Sequence, residues 1–335
     1  MPNILLAKSI LPPDFIDLSV GESHLVKDAL DEVFNLLPYK ICNDKSIFEY
    51  SDPKGYTHLV KLLENKYNKN VVICAGAKQG LCAAFYALKQ MGKKNIGLRT
   101  PYWCLLPSAI TMHGLEVSLT NNYDSYLCVA PGNPDNYLPN IDELRLLSNT
   151  CKNNNIPFIH DCAYFTPTYL TPNYPAELIG DVQIFSFSKM FGLSGLRCGF
   201  ILCDDDEMFH HMTYYIETMT VGVSTFSQLF IYHILYEMSK MPNLEKRFYN
   251  KSFEALKKNK LLLKNINNYD VEVPSNMENL CGMFAFLKVY DKDIFRKAKV
   301  NVIDGSLFGA PGFVRLNLAV PYKTLEESIN RINNL

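Results

Sequence analysis

Only one tryptophan, Trp103, occurs in the 335 residues. No stretch approaches the roughly 18 uninterrupted apolar residues of a membrane helix, so no membrane partner is expected. An excess of charge of one sign is also missing. The 33 Lys and Arg nearly balance the 34 Asp and Glu, leaving a net charge of -1. Such a chain has no basic field to recruit nucleic acid. The ten cysteines include no C-x-x-C pair, and several sit in apolar runs such as Val71–Cys74. Zinc clusters are therefore not expected. Reduced, buried thiols are, and they favour a cytoplasmic protein. Neither G-x-x-x-x-G-K-[ST] nor G-x-G-x-x-G occurs, which argues against P-loop and dinucleotide enzymes. The N-terminal apolar run lacks a basic start and a small-residue cleavage site, so no signal peptide is expected. No internal repeat and no low-complexity segment is found.

What remains is ordinary globular composition, 48% hydrophobic and 20% charged. The length suits one large and one small domain. Helical spacing of Leu25, Ala29, Val33 and Leu36 predicts a helix over 22–37, and Leu59, Leu62, Leu63 and Tyr67 predict another after a turn-rich stretch at 43–55. From residue 71 the texture alternates. Short apolar runs at 71–74, 96–99, 116–119, 126–130, 157–161, 183–187 and 199–203 read as strands. Helical patterns separate them, as in a mostly parallel α/β sheet covered on both faces. A helical stretch follows over 205–266. Strand candidates at 271–273, 282–289 and 313–319 mix with helices at 291–299 and 323–334, the pattern of a small α+β domain. A break at Lys240-Met241-Pro242-Asn243 divides the two. The expected division is an N-terminal segment 1–40 packing on the small domain, a large domain 41–240 and a small domain 241–335.

Ligands of open α/β sheets sit at the carboxyl ends of the strands. Gly76–Lys78, Trp103, Asn133, Asp161 and Lys189 each follow or end a predicted strand, so distant parts of the chain converge on one site. The densest signal runs from Phe185 to Gly199 and has the form S-x-S-K-x-[FY]-x-L-x-G-x-R-x-G. A lysine after a buried strand, among small and apolar residues, loses hydration of its ammonium form and becomes a usable amine. Ser186, Ser188 and Arg197 around Lys189 supply phosphate-binding groups.

This segment resembles the cofactor-attachment site of class I/II aminotransferases, the fold-type I pyridoxal-phosphate (PLP) enzymes. The resemblance runs from about Gly21 to the C-terminus. It implies a large domain with a mostly parallel mixed sheet flanked by helices, a small α+β domain, and PLP held on Lys189 as a Schiff base. It further implies that Asp161 pairs with the ring nitrogen, which keeps the ring an electron sink. Tyr164 and Asn133 would reach the ring 3-oxygen. Gly76, Ala77 and Lys78, opening a helix, would cradle the phosphate, and Trp103 would stack on the ring. By the same resemblance Tyr50 would reach across a homodimer interface to the phosphate. Arg315, alternating with apolar residues on a strand, would grip the substrate α-carboxylate, and Gly21 would lie beside the substrate. Asp135-Asn136 replaces the Thr-Gly usual after Asn-Pro.

The resemblance implies that Lys189 also acts as the base at the α-carbon. The expected reaction is amino transfer between an amino acid and a 2-oxo acid. A cystathionine-type C–S β-lyase, or other α-carbanion chemistry, is the alternative. A non-catalytic protein of the same fold is a second alternative, against which the presence of Lys189, Asp161 and Arg197 argues. No second arginine at a motif position assigns the substrate side chain.

Overall fold

The computed structural model describes residues 11–26, 48–171, 173–275 and 281–335. The helix predicted over 22–37 lies mostly outside them, as does Cys42. Strand β1 (Ile16–Asp17) precedes a seven-stranded sheet. The sheet is built from β2 (Val71–Cys74), β3 (Asn95–Leu98), β4 (Glu116–Ser118), β5 (Ser125–Val129), β6 (Phe158–Asp161), β7 (Val182–Ser186) and β8 (Gly199–Cys203). All seven strands expected over 71–203 are present. Their order is β2-β8-β7-β6-β5-β3-β4, and every neighbouring pair is parallel except the two that involve β8.

The apolar runs are continuous because both faces of this sheet are covered. Residues alternate between faces with period two. Ile73, Phe185, Phe200 and Leu202 pack with Leu59, Leu63, Ile231 and Ile234 of helices Thr57–Tyr67 and Thr225–Lys240. Val72, Cys74, Ile184 and Ile201 pack with Leu81, Ala84 and Leu88 of helix Ala77–Gln90 and with Met208 and Met212 of helix Asp206–Thr220. Each fully buried Val, Leu, Ile, Phe or Met among them contributes about 1.5–3 kcal/mol. The frame is therefore strong enough to carry a polar cavity at one edge.

Register sets that edge. Val129 pairs with Asp161 and Asp161 with Ile184, while Ser186 and Cys74 both face Gly199. The carboxyl ends of β2, β5, β6 and β7 thus share one rim with the start of β8. Gly199 is required there, because a Cβ would lie 2.4 Å from the Phe185 carbonyl oxygen and 3.0 Å from the Gly76 Cα.

A second, four-stranded antiparallel sheet has the order β12-β13-β10-β9. It comprises β9 (Val271–Glu272), β10 (Phe284–Val289), β12 (Ile303–Asp304) and β13 (Phe313–Asn317), while β11 (Val300–Asn301) pairs in parallel with β1. Helices Pro242–Leu262 and Tyr322–Asn333 cover it through Leu256, Leu262, Leu325 and Ile329. The helix expected over 291–299 shrinks to Ile294–Lys297. The Asp291 carboxylate accepts from the Asp293 N–H at 2.9 Å, holding a turn before it, and Lys299 at φ 57° ends it. The break expected near 240 is present as Met241, between helices Thr225–Lys240 and Pro242–Leu262.

Candidate active site

A cavity of about 690 Å³ lies between the rim of the large sheet and β13. Lys189 enters it from the short helix Phe187–Met190, directly after β7. Its Nζ donates to the Gly21 carbonyl oxygen. Burial pushes the amine down to about 8; Arg315 and Arg197 push the same way, and Glu22 opposes them. A group of this kind can give up and take back a proton near neutral pH.

Asp161 ends β6 and faces the same space. Its Oδ1 accepts from the Ala163 N–H at 3.0 Å, and burial raises its carboxyl to about 6. No cation among the described residues pairs with it. One strand over, Asn133 donates to the Tyr164 hydroxyl at 3.4 Å and accepts from Arg315 Nη1 at 2.8 Å. Burial holds the Tyr164 phenol well above its ordinary range, so Tyr164 stays a neutral donor.

At the other end of the cavity Arg197 adopts the left-handed conformation, φ 48° and ψ 54°. Its guanidinium donates to the carbonyls of Ser194 at 3.0 Å and Ala75 at 3.2 Å, and to Ser188 Oγ at 3.4 Å. All three partners are neutral. Gly76, at φ 79°, lets the chain pass beneath: a Cβ would lie 3.0 Å from Arg197 Nη2. Helix Ala77–Gln90 begins here, with Ala77 and Lys78 lining the cavity and the Lys78 amine 5.2 Å from the Trp103 ring centre. Ser186 lines the wall beside them.

Arg315 comes from β13, on the opposite side. It is buried beneath the rings of Phe284 and Phe308, at 4.4 Å and 5.2 Å. Besides Asn133 it donates to the Ser19 carbonyl, while its Nε has no partner. No carboxylate among the described residues offsets it. Burial lowers its pKa to about 10, so it remains a cation at neutral pH.

The structure thus brings together Gly21, Ala77, Lys78, Trp103, Asn133, Asp161, Tyr164, Ser186, Ser188, Lys189, Arg197 and Arg315 around one cavity. Gly76 supports its floor. Tyr50 does not line it; that side chain is 85% exposed. Sequence reasoning placed Gly21 at the site but missed the rest of its strap, Ser19–Glu22, and the wall segment Asn301–Leu307 that closes the cavity with Cys104 and Leu105. It also missed Asn317, whose amide donates at 2.7 Å to both the Val20 and Glu22 carbonyls. Asn317 lies two residues after Arg315 on β13, so strand alternation was a usable signal for it.

The donor set fits PLP. Among the described residues a buried carboxylate lacks a cation, a guanidinium at a helix start has only neutral partners, and a neutralisable amine lines the same cavity. A planar indole lines the same space. Comparison with known proteins agrees. A family model described as allinase matches residues 58–335. A probable aspartate/prephenate aminotransferase of Aquifex aeolicus is 28% identical over 313 residues, covering 81% of this chain and 77% of that protein. Tryptophan aminotransferase-related protein 2 of Arabidopsis thaliana is 30% identical over 230 residues, covering 64% of this chain but 50% of that protein. Aspartate aminotransferase of Thermotoga maritima shares the fold with a TM-score of 0.74 at 22% identity, over 96% of this chain and 92% of its own. The chain belongs to the allinase family, within the class I/II aminotransferases of fold type I, whose cofactor is pyridoxal phosphate.

Proposed function

We propose that the protein is a PLP-dependent aminotransferase that moves an amino group between an amino acid and a 2-oxo acid, with Lys189 as covalent anchor and base. One observation carries this reading. A neutralisable amine, a buried carboxylate and a buried guanidinium converge in one cavity from Lys189, Asp161 and Arg315. When bound, PLP supplies an electrophilic aldehyde and a cationic ring that accepts the electron pair released at the substrate α-carbon.

The remaining work falls to side chains. Asp161 holds the ring nitrogen protonated, which also neutralises its own buried charge. Tyr164 and Asn133 donate to the ring oxygen. Arg197, Ser186, Ser188 and the backbone of Gly76–Lys78 hold the phosphate, with the start of helix Ala77–Gln90 adding a favourable dipole. Trp103 covers the ring. Arg315 orients the substrate by its carboxylate, and Gly21 keeps that approach open. Lys189 would act as the base that takes the α-proton and as the acid that gives it back, the proton movement that amino transfer requires.

The exposed Tyr50 fits a role in a partner subunit's site, and this reading includes a cytoplasmic homodimer. Its chains divide into a segment 1–40, a large domain 41–240 and a small domain 241–335. The pairing of β1 with β11 supports placing the N-terminal segment on the small domain. A second reading, C–S β-elimination, draws support from the allinase family match. Product analysis separates the two. Full-length protein loaded with PLP is given single L-amino acids with a 2-oxo acid acceptor. Stoichiometric appearance of a new amino acid is expected; ammonia and pyruvate from a cysteine-type donor, without amino transfer, would assign the lyase.

A further inference from the structure

We infer that Tyr169 and Ser23 form a buried hydroxyl pair that positions Lys189 against the Gly21 carbonyl. This rests on the reading of Lys189 as the acting amine, and it adds two residues to that machinery.

Tyr169 is 1% exposed and Ser23 2%. The Tyr169 hydroxyl lies 3.0 Å from the Lys189 carbonyl oxygen and 2.6 Å from Ser23 Oγ. A carbonyl can only accept, so Tyr169 donates to Lys189 and its oxygen accepts from Ser23. The pair therefore ties the backbone of the lysine to the strap two residues beyond Gly21, which receives the same lysine's Nζ. The far side of the strap is fixed independently. Asn317 holds the Val20 and Glu22 carbonyls, and the His24 N–H donates to the Ala319 carbonyl at 2.7 Å. Without the hydroxyl pair, the strap keeps its hold on β13 but loses its tie to the backbone of the lysine. Water then reaches the amine, and its protonated form is favoured again.

The titratable and charged groups that share the cavity with that amine are Glu22 from the strap, Asp161 and Tyr164 from β6 and its loop, Cys104 beside Trp103, Asp304 from β12, Arg315 from β13, Arg197 from the loop before β8, and Lys78 from the facing helix. Tyr169→Phe and Ser23→Ala leave all of them in place. Tyr169→Phe also keeps the ring, which stands edge-on to Tyr164 at 5.9 Å.

The test is competitive acylation of Lys189 against pH in the cofactor-free full-length chain, read by peptide mass. Circular dichroism checks the fold of each variant, and Ser23→Ala serves if Tyr169→Phe fails to fold. The titration midpoint should rise by about one unit in either variant and return in Ser23→Thr, which restores the hydroxyl. In the loaded enzyme kcat should fall about tenfold at pH 7 and recover above about pH 9. A folded variant with an unmoved midpoint, or a loss equal at every pH, would make Tyr169 a packing residue and overturn the proposal. If the midpoint moves but no donor ever loses its amino group, the positioning stands and the aminotransferase reading fails.

Discussion

The two walls of the cavity each present a buried cation, and burial pushes both down from different starting values. Lys189, on the large-sheet wall, is pushed down to about 8; Arg315, on the β13 wall, reaches only about 10. The lysine is thereby brought within reach of neutral pH, whereas the guanidinium starts high enough to keep its charge there. On the reading proposed above, one wall would handle protons and the other would hold an anion. Asp161 belongs to the first wall and shows the reverse effect, a carboxylate raised to about 6 because its charge is not offset. Neither Asp161 nor Arg315 has an ion-pair partner among the described residues, and on the reading proposed above the cofactor and the substrate would supply those partners.

This contrast can be broken from either side. Asp161→Asn should have the largest effect. It removes the charge opposite the ring nitrogen, and breaking a buried pair costs about 3–5 kcal/mol. Single-turnover rates should fall about 10²–10³-fold with substrate affinity little changed. Arg315→Lys should act mainly on the other wall. A lysine cannot reproduce the fork that meets a carboxylate, and about 2–3 kcal/mol of binding should be lost. Steady-state kinetics should show it as a raised KM with a smaller change in kcat.

The smallest effect is on stability, and its sign follows from the two shifts. Lys189 is neutral in the folded chain between about 8 and its ordinary 10.5 but protonated when unfolded, so stability rises with pH across that window. Asp161 is protonated in the folded chain between 3.8 and about 6 but ionised when unfolded, so stability falls with pH across that window. Cofactor-free protein should therefore be least stabilised by these two groups between pH 6 and 8. Thermal melts with and without PLP should show the largest gain in Tm in that interval. A gain that is flat across pH would mean that the cofactor leaves both charges as they were.

Legibility in the sequence followed the same division. The large-sheet wall was readable because its signals are local. Each strand is an apolar run, and Gly76–Lys78, Trp103, Asn133, Asp161 and Lys189 each end a strand or follow one within a few positions. The β13 wall is made by contacts distant in sequence. Arg315 reaches Ser19 and Asn317 reaches Val20, through backbone carbonyls that leave no residue-type signature. Arg315 itself was found because an arginine among apolar neighbours on a strand needs a reason, and because the family resemblance assigns one at that place. Tyr169 was overlooked because a buried tyrosine in a loop resembles ordinary packing until its hydroxyl partners are seen. The short helix Ile294–Lys297 was overextended because the aspartate turn before it lies in side-chain geometry, not in periodicity.

Burial alone would nominate a second lysine. Lys260 is 5% exposed and its amine is likewise pushed down to about 8, yet it lies outside the cavity. The decisive measurement is borohydride reduction of the PLP-loaded full-length chain, followed by peptide mass mapping. The cofactor mass should appear on the peptide carrying Lys189 and vanish in Lys189→Ala. Its appearance on Lys260 or Lys78, or its persistence in Lys189→Ala, would contradict the assignment of Lys189 as the anchor.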